Sequence, residues 1–311
     1  MKFFVPGKTF LVGEYAVLLG GASLGLATKP YFEFDYLQDV ADADLDLKRL
    51  KTEKSFHPDS PAGMLVKKHN LKLKFYFKNH YLEQGVLGGF GASTAEYLIA
   101  LTPLLLNCKK SFFDILNEYK DLHVAQNVKP SGNDLAFQYF GQVTLADSAL
   151  NFYQNFDWIF TNLDFCVIST GQKVPTHQHL ADLDLTRLQD LPALSHQITK
   201  VYAENKPDDF IGLMREWCDK LEEKNLTHLH SLHLRKQLEK NENILLVKPC
   251  GALGADVMLV FFKRRDGEAV LQYLNEQKIQ VMAGSDELSH GFVSQIRNLG
   301  SDYVVRSLSP V

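Results

Sequence analysis

The residues best suited to chemistry lie in Gly85-Val86-Leu87-Gly88-Gly89-Phe90-Gly91-Ala92-Ser93-Thr94-Ala95-Glu96, a glycine-rich stretch running into a helix-competent segment, 94–101. Glycines let backbone N–H groups come close to a ligand, and a helix start adds partial positive charge, so the stretch predicts a phosphate cradle. No Gly-Lys-Ser/Thr follows the glycines, which excludes a Walker loop. Ser93 and Glu96 also have capping-box spacing, so the same residues read equally well as a capped helix after a flexible turn.

Three further segments carry candidate groups. In Val5-Pro6-Gly7-Lys8-Thr9-Phe10-Leu11-Val12-Gly13-Glu14-Tyr15-Ala16-Val17-Leu18, Pro6-Gly7 predicts a turn, and Lys8 and Glu14 flank an apolar strand. Facing a cavity, Lys8 could hold an anion or acidify an attacked hydroxyl; facing water, both are ordinary surface charges. In the stretch from His123 to Ala136, Pro130-Ser131-Gly132 predicts a turn and Asp134 the first turn of a helix. A carboxylate is favoured there with or without catalysis. The last segment, Lys248-Pro249-Cys250-Gly251-Ala252-Leu253-Gly254-Ala255-Asp256, is a glycine-containing loop before a buried strand.

In order and separation these segments resemble the motifs of the GHMP kinase family (galactokinase, homoserine, mevalonate and phosphomevalonate kinases). Residues 6–17 resemble the family's Pro-Gly-Lys…Gly-Glu-His/Tyr-Ala-Val, and residues 89–95 its phosphate loop Gly-Leu-Gly-Ser-Ser-Ala-Ala. Ser131–Asp134 resembles Ser-Gly-x-Asp, and residues 251–255 resemble Gly-Ala-Gly-Gly-Gly. Tyr15, the spacing from His123 to Asp134, and Asp256 are similar to phosphomevalonate kinase. Lys173-Val174-Pro175-Thr176 and Pro130-Ser131-Gly132 suit mevalonate kinase.

The resemblance implies an α+β chain with a two-domain GHMP kinase fold. Residues 1–160 would form an ATP-binding domain like ribosomal protein S5 domain 2, and 161–311 a ferredoxin-like domain. It implies an ATP-dependent kinase of mevalonate or phosphomevalonate, acting as monomer or homodimer; the scattered cysteines add the expectation of a reduced, cytoplasmic enzyme. The alternatives are another alcohol, such as homoserine or a sugar, or a silent member that binds nucleotide or metabolite. By resemblance, ATP lies along Gly88, Gly89, Gly91, Ala92, Ser93 and Thr94, with Ser93 helping to hold Mg2+. Asp134 accepts the substrate hydroxyl's proton or orients that hydroxyl, with Lys8 beside it. Glu14, Tyr15, Ser131, Gly132, Gly251 and Ala252 would contact substrate. Three departures stand out: Ala92 replaces a serine, Leu253 replaces a glycine, and His123 stands where mevalonate kinase has a magnesium-binding glutamate. Magnesium prefers oxygen ligands, so Glu96 or Asp121 would have to fill in, or metal binding is weaker.

Strands are predicted at 2–5, 10–12, 31–36 and 72–78, then from 141, and helices at 60–69, 93–106, 112–126 and 134–140. After 157–164 the pattern restarts with a buried strand at 165–170. Polar helices follow at 185–204, 208–224 and 226–241, with strands at 244–247 and 256–262, a helix at 268–277 and a strand at 279–283. The domain boundary falls near 155–165.

Composition fits this plan. A formal net charge of −4 and a pI near 6.3 give no basic footprint for nucleic acid. Apolar stretches such as 257–262 are too short to span a bilayer, and Pro6 interrupts the start too early for a signal peptide. Cys108, Cys166, Cys218 and Cys250 lack paired spacing, which predicts neither a disulfide framework nor a zinc knuckle. Cys108 and Cys166 read as small packed hydrophobes. His228, His230 and His233, and the pair His177 and His179, read as solvated residues. The aspartates at 39–46 lack the glycine and closing glutamate of a calcium loop.

Overall fold

Apolar side chains carry the chain from Lys2 to Val12 as a single strand, β1 (Lys2–Val12). The expected turn at Pro6-Gly7 is instead an irregularity within this strand, where its register against the next strand shifts. Proline cannot donate to a ladder, so a bulge accommodates it while the strand continues. The next strand, β2 (Ser23–Tyr36), runs antiparallel to β1 over nearly its whole length. Its other edge is shared: Ser23–Leu26 pair with β4 (Val143–Asp147), and Phe32–Tyr36 with β3 (Phe75–Asn79). A strand not expected from the sequence, β5 (Phe152–Phe156), closes the sheet beside β4. The computed structural model describes residues 2–36, 56–73, 75–86, 88–107, 110–123, 130–171, 183–254 and 256–298.

Helices α1 (Pro61–Lys68), α2 (His80–Glu83), α3 (Ala92–Asn107), α4 (Phe112–Asp121) and α5 (Asn133–Phe140) accompany this sheet. Helix α3 buries Ala95 and the whole run Tyr97–Leu101, as expected of a helix apolar on every side. Pro103 lies within it and cannot donate to the Ile99 carbonyl; the Tyr36 hydroxyl donates there instead. The tertiary fold thus repairs a break that the sequence would otherwise impose.

The second sheet has the order β7-β8-β6-β9, antiparallel throughout, from β6 (Leu163–Ser169), β7 (Ile244–Cys250), β8 (Val257–Lys263) and β9 (Val281–Gly284). Between β6 and β7 lie α6 (Leu191–Ala203), α7 (Pro207–Glu223) and α8 (Leu229–Leu238); α9 (Gly267–Glu276) joins β8 to β9. Strand alternation divides this sheet between two cores. Phe165, Val167, Leu259 and Phe261 join the large cluster that includes Trp217 of α7, whereas Cys166, Ile168, Met258 and Val260 pack with Leu238, Val270 and Leu274.

The chain then returns to the first sheet. In α10 (Phe292–Asn298), Phe292 packs on Phe3 and Phe34, and the Gln295 side chain accepts the Phe4 N–H at 2.8 Å.

Several expected bounds differ. The strand expected at 72–78 is β3 alone, and the helix expected at 112–126 ends as α4 at Asp121. The segment 185–204 is a short 3-10 turn, Leu185–Leu188, followed by α6 with a proline in its first turn. The expectations for 39–46, Cys108, 124–126, Lys173–Thr176, His177 and His179 lie outside the described residues.

One charged cluster braces α1 against α4. The buried Glu118 carboxylate accepts from Lys68 at 3.2 Å, His69 at 2.5 Å and Lys110 at 2.6 Å. Burial pushes its carboxyl up, but the hydrogen bonds from Lys110 and His69 outweigh that and hold it at about 2. A lowered folded-state value contributes stability that is present above the ordinary glutamate range and lost as pH falls toward 2. Glu118→Gln is therefore expected to lower the melting temperature at neutral pH and to flatten its fall between pH 4.5 and 2. Thermal unfolding as a function of pH checks this; parallel curves for both proteins would refute it.

Candidate active site

The glycine loop sits where both halves of the chain meet. Phe90 anchors it from beneath, stacked on Tyr81 with ring centroids 4.1 Å apart. Its carbonyl accepts the Lys8 N–H at 3.0 Å, tying the loop to β1. Gly89 and Gly91 have φ of 95° and 83°, the left-handed region that side chains rarely adopt. A Cβ on Gly91 would lie 2.8 Å from Lys8 Cγ, and one on Gly89 would lie 2.7 Å from Asp256 Cβ. The missing side chains therefore let the loop pass between a lysine of the first half and an aspartate of the second.

Helix α3 begins at Ala92, and the Ala95 N–H bonds to the Gly91 carbonyl at 3.0 Å. Ser93 is thus inside the first turn, which corrects the capping-box expectation: Gly91 occupies the cap. Ala92 and Ser93 are exposed, so the unsatisfied amides of this turn are available to an anion. Thr94 is placed differently. It is buried, and its hydroxyl faces inward to the Gly91 carbonyl and the Gln138 amide oxygen. That hydroxyl is spent on fixing the loop.

Lys8 and Asp134 form an ion pair, Nζ to Oδ1 at 3.0 Å, with side chains 12% and 38% exposed. Lys8 arrives from β1, its ammonium 5.0 Å from the centre of the Phe10 ring. Asp134 arrives from the first turn of α5, whose N-cap is Gly132 at φ 81°. The Ser131 hydroxyl accepts the Asn133 N–H at 3.3 Å, and buried Asn133 donates to Ser23 Oγ at 2.8 Å. These bonds seat the helix start on β2. Lys8 therefore touches both the phosphate-type loop and the carboxylate. A cationic group between an anion cradle and an accessible carboxylate can neutralise charge as a hydroxyl gives up its proton.

Glu14, half-buried as a residue, and buried Tyr15 are both held by contacts within the protein. Glu14 Oε1 pairs with Lys248 Nζ at 2.6 Å, with side chains 6% and 0% exposed. Burial opposes the charge on Lys248, but Cys250 and Glu14 beside it keep its pKa above the usual lysine range. The Tyr15 hydroxyl accepts the Leu253 N–H at 3.0 Å, and burial raises its own pKa well above the ordinary tyrosine value.

Leu253 adopts the left-handed region at φ 53°, a cost of about 1–2 kcal/mol for a residue with a side chain. The Tyr15 bond on its N–H and a 2.7 Å bond from the His228 N–H to its carbonyl hold it there. Ser231 fixes the neighbouring Gly254 carbonyl at 2.7 Å. The second glycine loop is thus fastened to Tyr15 and to the start of α8. Gly251, at φ 84°, remains partly open beside Asp256 Oδ2, and Ala252 follows it in a single 3-10 turn.

Sequence reading missed Lys248, Gln138 and the placement of Asp256. A lysine inside the apolar strand Ile244–Cys250 was the available signal for the first. Glu96 and Asp121 lie on α3 and α4, and it is Asp256 that abuts the glycine loop. His123 is buried, with Nδ1 2.8 Å from the Tyr119 carbonyl. His228 is the N-cap of α8, where its ring accepts the His230 N–H, while His230 and His233 are exposed. Among the described residues, no three His, Cys, Asp or Glu side chains are grouped to hold a metal ion, and no helix is long and apolar enough to cross a membrane.

The fold is shared with solved GHMP kinases. Streptococcus pneumoniae phosphomevalonate kinase, solved with phosphomevalonate and AMPPNP, is 15% identical with a TM-score of 0.69, covering 91% of this chain and 99% of that one. Methanococcus jannaschii mevalonate kinase is 15% identical with a TM-score of 0.64, covering 91% and 97%. Lactococcus lactis galactokinase, complexed with galactose, is 12% identical with a TM-score of 0.66, covering 93% and 94%. No protein-family model and no curated protein matches the sequence.

Proposed function

We propose that this chain is an ATP-dependent kinase of a small hydroxylated acid in the mevalonate (isoprenoid) pathway, acting on phosphomevalonate or mevalonate in the cytoplasm. The observation that carries the reading is the Lys8–Asp134 pair, 3.0 Å apart, with the Lys8 stem packed against Gly91 of the glycine loop. The kinase folds that the chain shares, one of them solved with an ATP analogue, support it. The reading takes the chain as two domains, 1–160 and 161–311. The β7-β8-β6-β9 order supports a ferredoxin-like second domain, with residues 288–298 returning to brace the first.

The ATP phosphates lie along Gly88, Gly89, Gly91, Ala92 and Ser93, met by the amides of the α3 start. The substrate hydroxyl faces Asp134, which accepts its proton as the γ-phosphoryl group transfers. Lys8 balances the negative charge on the attacking oxygen and the transferring group. Phosphoryl transfer needs positioning and charge stabilisation more than covalent help, so no enzyme intermediate is invoked. Magnesium is held mainly by phosphates and one or two carboxylates, and hard oxygen donors are present: Ser93 Oγ at the exposed helix start and the carboxylate of Asp256 beside the glycine loop. Bound there, the ion would neutralise phosphate charge. In this reading the substrate lies near Ser131, Gly132, Gly251 and Ala252, with Glu14 and Tyr15 the other residues assigned to it.

Another alcohol is the alternative, because a galactokinase shares the fold equally well. The test is ADP release with MgATP and, separately, mevalonate, phosphomevalonate, homoserine and galactose. Turnover of either pathway acid supports the reading, and turnover of homoserine or galactose alone replaces the substrate. MgATP binding without turnover of any of them favours a silent binding protein.

A further inference from the structure

We propose that Gln138 is the positioning residue that sets the phosphate loop, Lys8 and Asp134 at working distance; this rests on the kinase reading above. Gln138 lies four residues after Asp134 on α5, so both side chains project from one face of the helix. Asp134 is half exposed at the helix start, whereas Gln138, one turn deeper, is fully buried. A buried primary amide must place both its donors and its acceptor, and the partners here belong to three different elements. Its Nε2 donates to the Pro6 carbonyl at 2.8 Å and the Gly91 carbonyl at 3.2 Å, and its Oε1 accepts from the Thr94 hydroxyl.

Each partner adjoins a reacting group. Pro6 marks the register shift in β1, two residues before Lys8, so the bond there fixes where Lys8 leaves the sheet. Gly91 is the loop residue against which the Lys8 stem packs, and Thr94 is in the first turn of α3. One amide therefore ties the helix that carries Asp134 to the strand that carries Lys8 and to the loop that cradles phosphate. The two carbonyls demand the NH2 group, so the amide has one orientation, with its oxygen toward the threonine hydroxyl. An apolar residue of the same length would leave the Pro6 and Gly91 carbonyls without this donor and the loop free to move away from Asp134.

The experiment compares wild type, Gln138→Met, Gln138→Glu and Thr94→Val in two measurements. The first is MgADP binding by calorimetry. The second is kcat and KM, taken as a function of pH at a temperature where unfolding curves show each variant fully folded. Gln138→Met is expected to weaken MgADP binding and lower kcat by about tenfold or more, since small misplacements of reacting groups are costly. Gln138→Glu carries an O–H donor only when protonated. Its kcat relative to wild type is expected to recover as pH falls, while that of Gln138→Met stays flat. Thr94→Val is expected to weaken MgADP binding in the same direction as Gln138→Met. A Gln138 that merely supports the fold would lower the melting temperature with unchanged kcat, KM, MgADP affinity and pH profile, and that result overturns the proposal. If wild type binds no MgADP, the kinase reading itself fails, and this inference fails with it.

Discussion

Asp134→Ala is expected to lower kcat by about 10²–10⁴-fold, the usual contribution of a positioned proton acceptor. Its effect on MgATP binding should be small, because in the proposed reading the phosphates rest on the amides of the glycine loop and the α3 start. Asp134 is 38% exposed and pairs with Lys8 at the surface of the helix start, so its removal should leave the fold intact. Asp134→Asn sharpens the test: it keeps the size of the side chain and a hydrogen bond to Lys8 but cannot take up the substrate's proton. If orientation of the hydroxyl were the main role, Asp134→Asn would retain much of the activity that Asp134→Ala loses. Steady-state kinetics on whichever alcohol turns over, with MgATP saturating, read both effects. Wild-type kcat in Asp134→Ala would remove Asp134 from the chemistry.

The second large effect is on stability. Glu14→Gln or Lys248→Met should each destabilise the protein by about 3–5 kcal/mol, because either change strands one charge of a buried pair. Neither partner has water to fall back on, with Lys248 wholly buried and Glu14 nearly so. The remaining contacts of the ammonium, to the Phe10 carbonyl at 3.4 Å, the Pro249 carbonyl at 3.1 Å and Cys250 Sγ at 3.6 Å, cannot replace a carboxylate. The pair joins the segment after β1 to β7 across the two halves of the chain, so its loss should lower the midpoint of denaturant unfolding of the whole protein. Replacing both residues, Glu14→Leu with Lys248→Met, should recover much of the loss, since an apolar pair of similar volume avoids the desolvation cost. If the single changes instead leave unfolding untouched and raise KM for the alcohol, Glu14 acts on substrate after all.

The two results separate groups that look alike on paper. Lys8, Glu14, Asp134 and Lys248 are all charged residues within or beside apolar runs. Only folding reveals that one oppositely charged couple stays partly exposed beside the glycine loop and the other is buried between the two halves.

Much of the architecture was legible because it depends on local pattern. The bounds of α1, α3, α5 and β8 follow from apolar periodicity and from Ser60, Gly132 and Gly141 at helix ends. The glycines of residues 85–91, Lys8 and Asp134 stood out because their order and spacing resemble the GHMP kinase motifs. What was not legible shares one cause. Edge strand β5 has no clear alternation, and the partners of α10 lie some 290 residues earlier in the chain, as the Phe4–Gln295 bond shows. Pro6-Gly7 has the composition of a turn, but the ladder with β2 on both sides carries the strand through it.

By itself, then, the sequence determined the candidate groups, their order and most of the elements that carry them, since glycine content, charge and apolar period act over a few residues. The tertiary structure alone decided that Lys8 meets Asp134 while Glu14 meets Lys248, that Thr94 turns inward to Gln138, and that Asp256 of the second half abuts Gly89 of the first. Burial and pairing depend on which distant surfaces come together, and no local pattern encodes that choice.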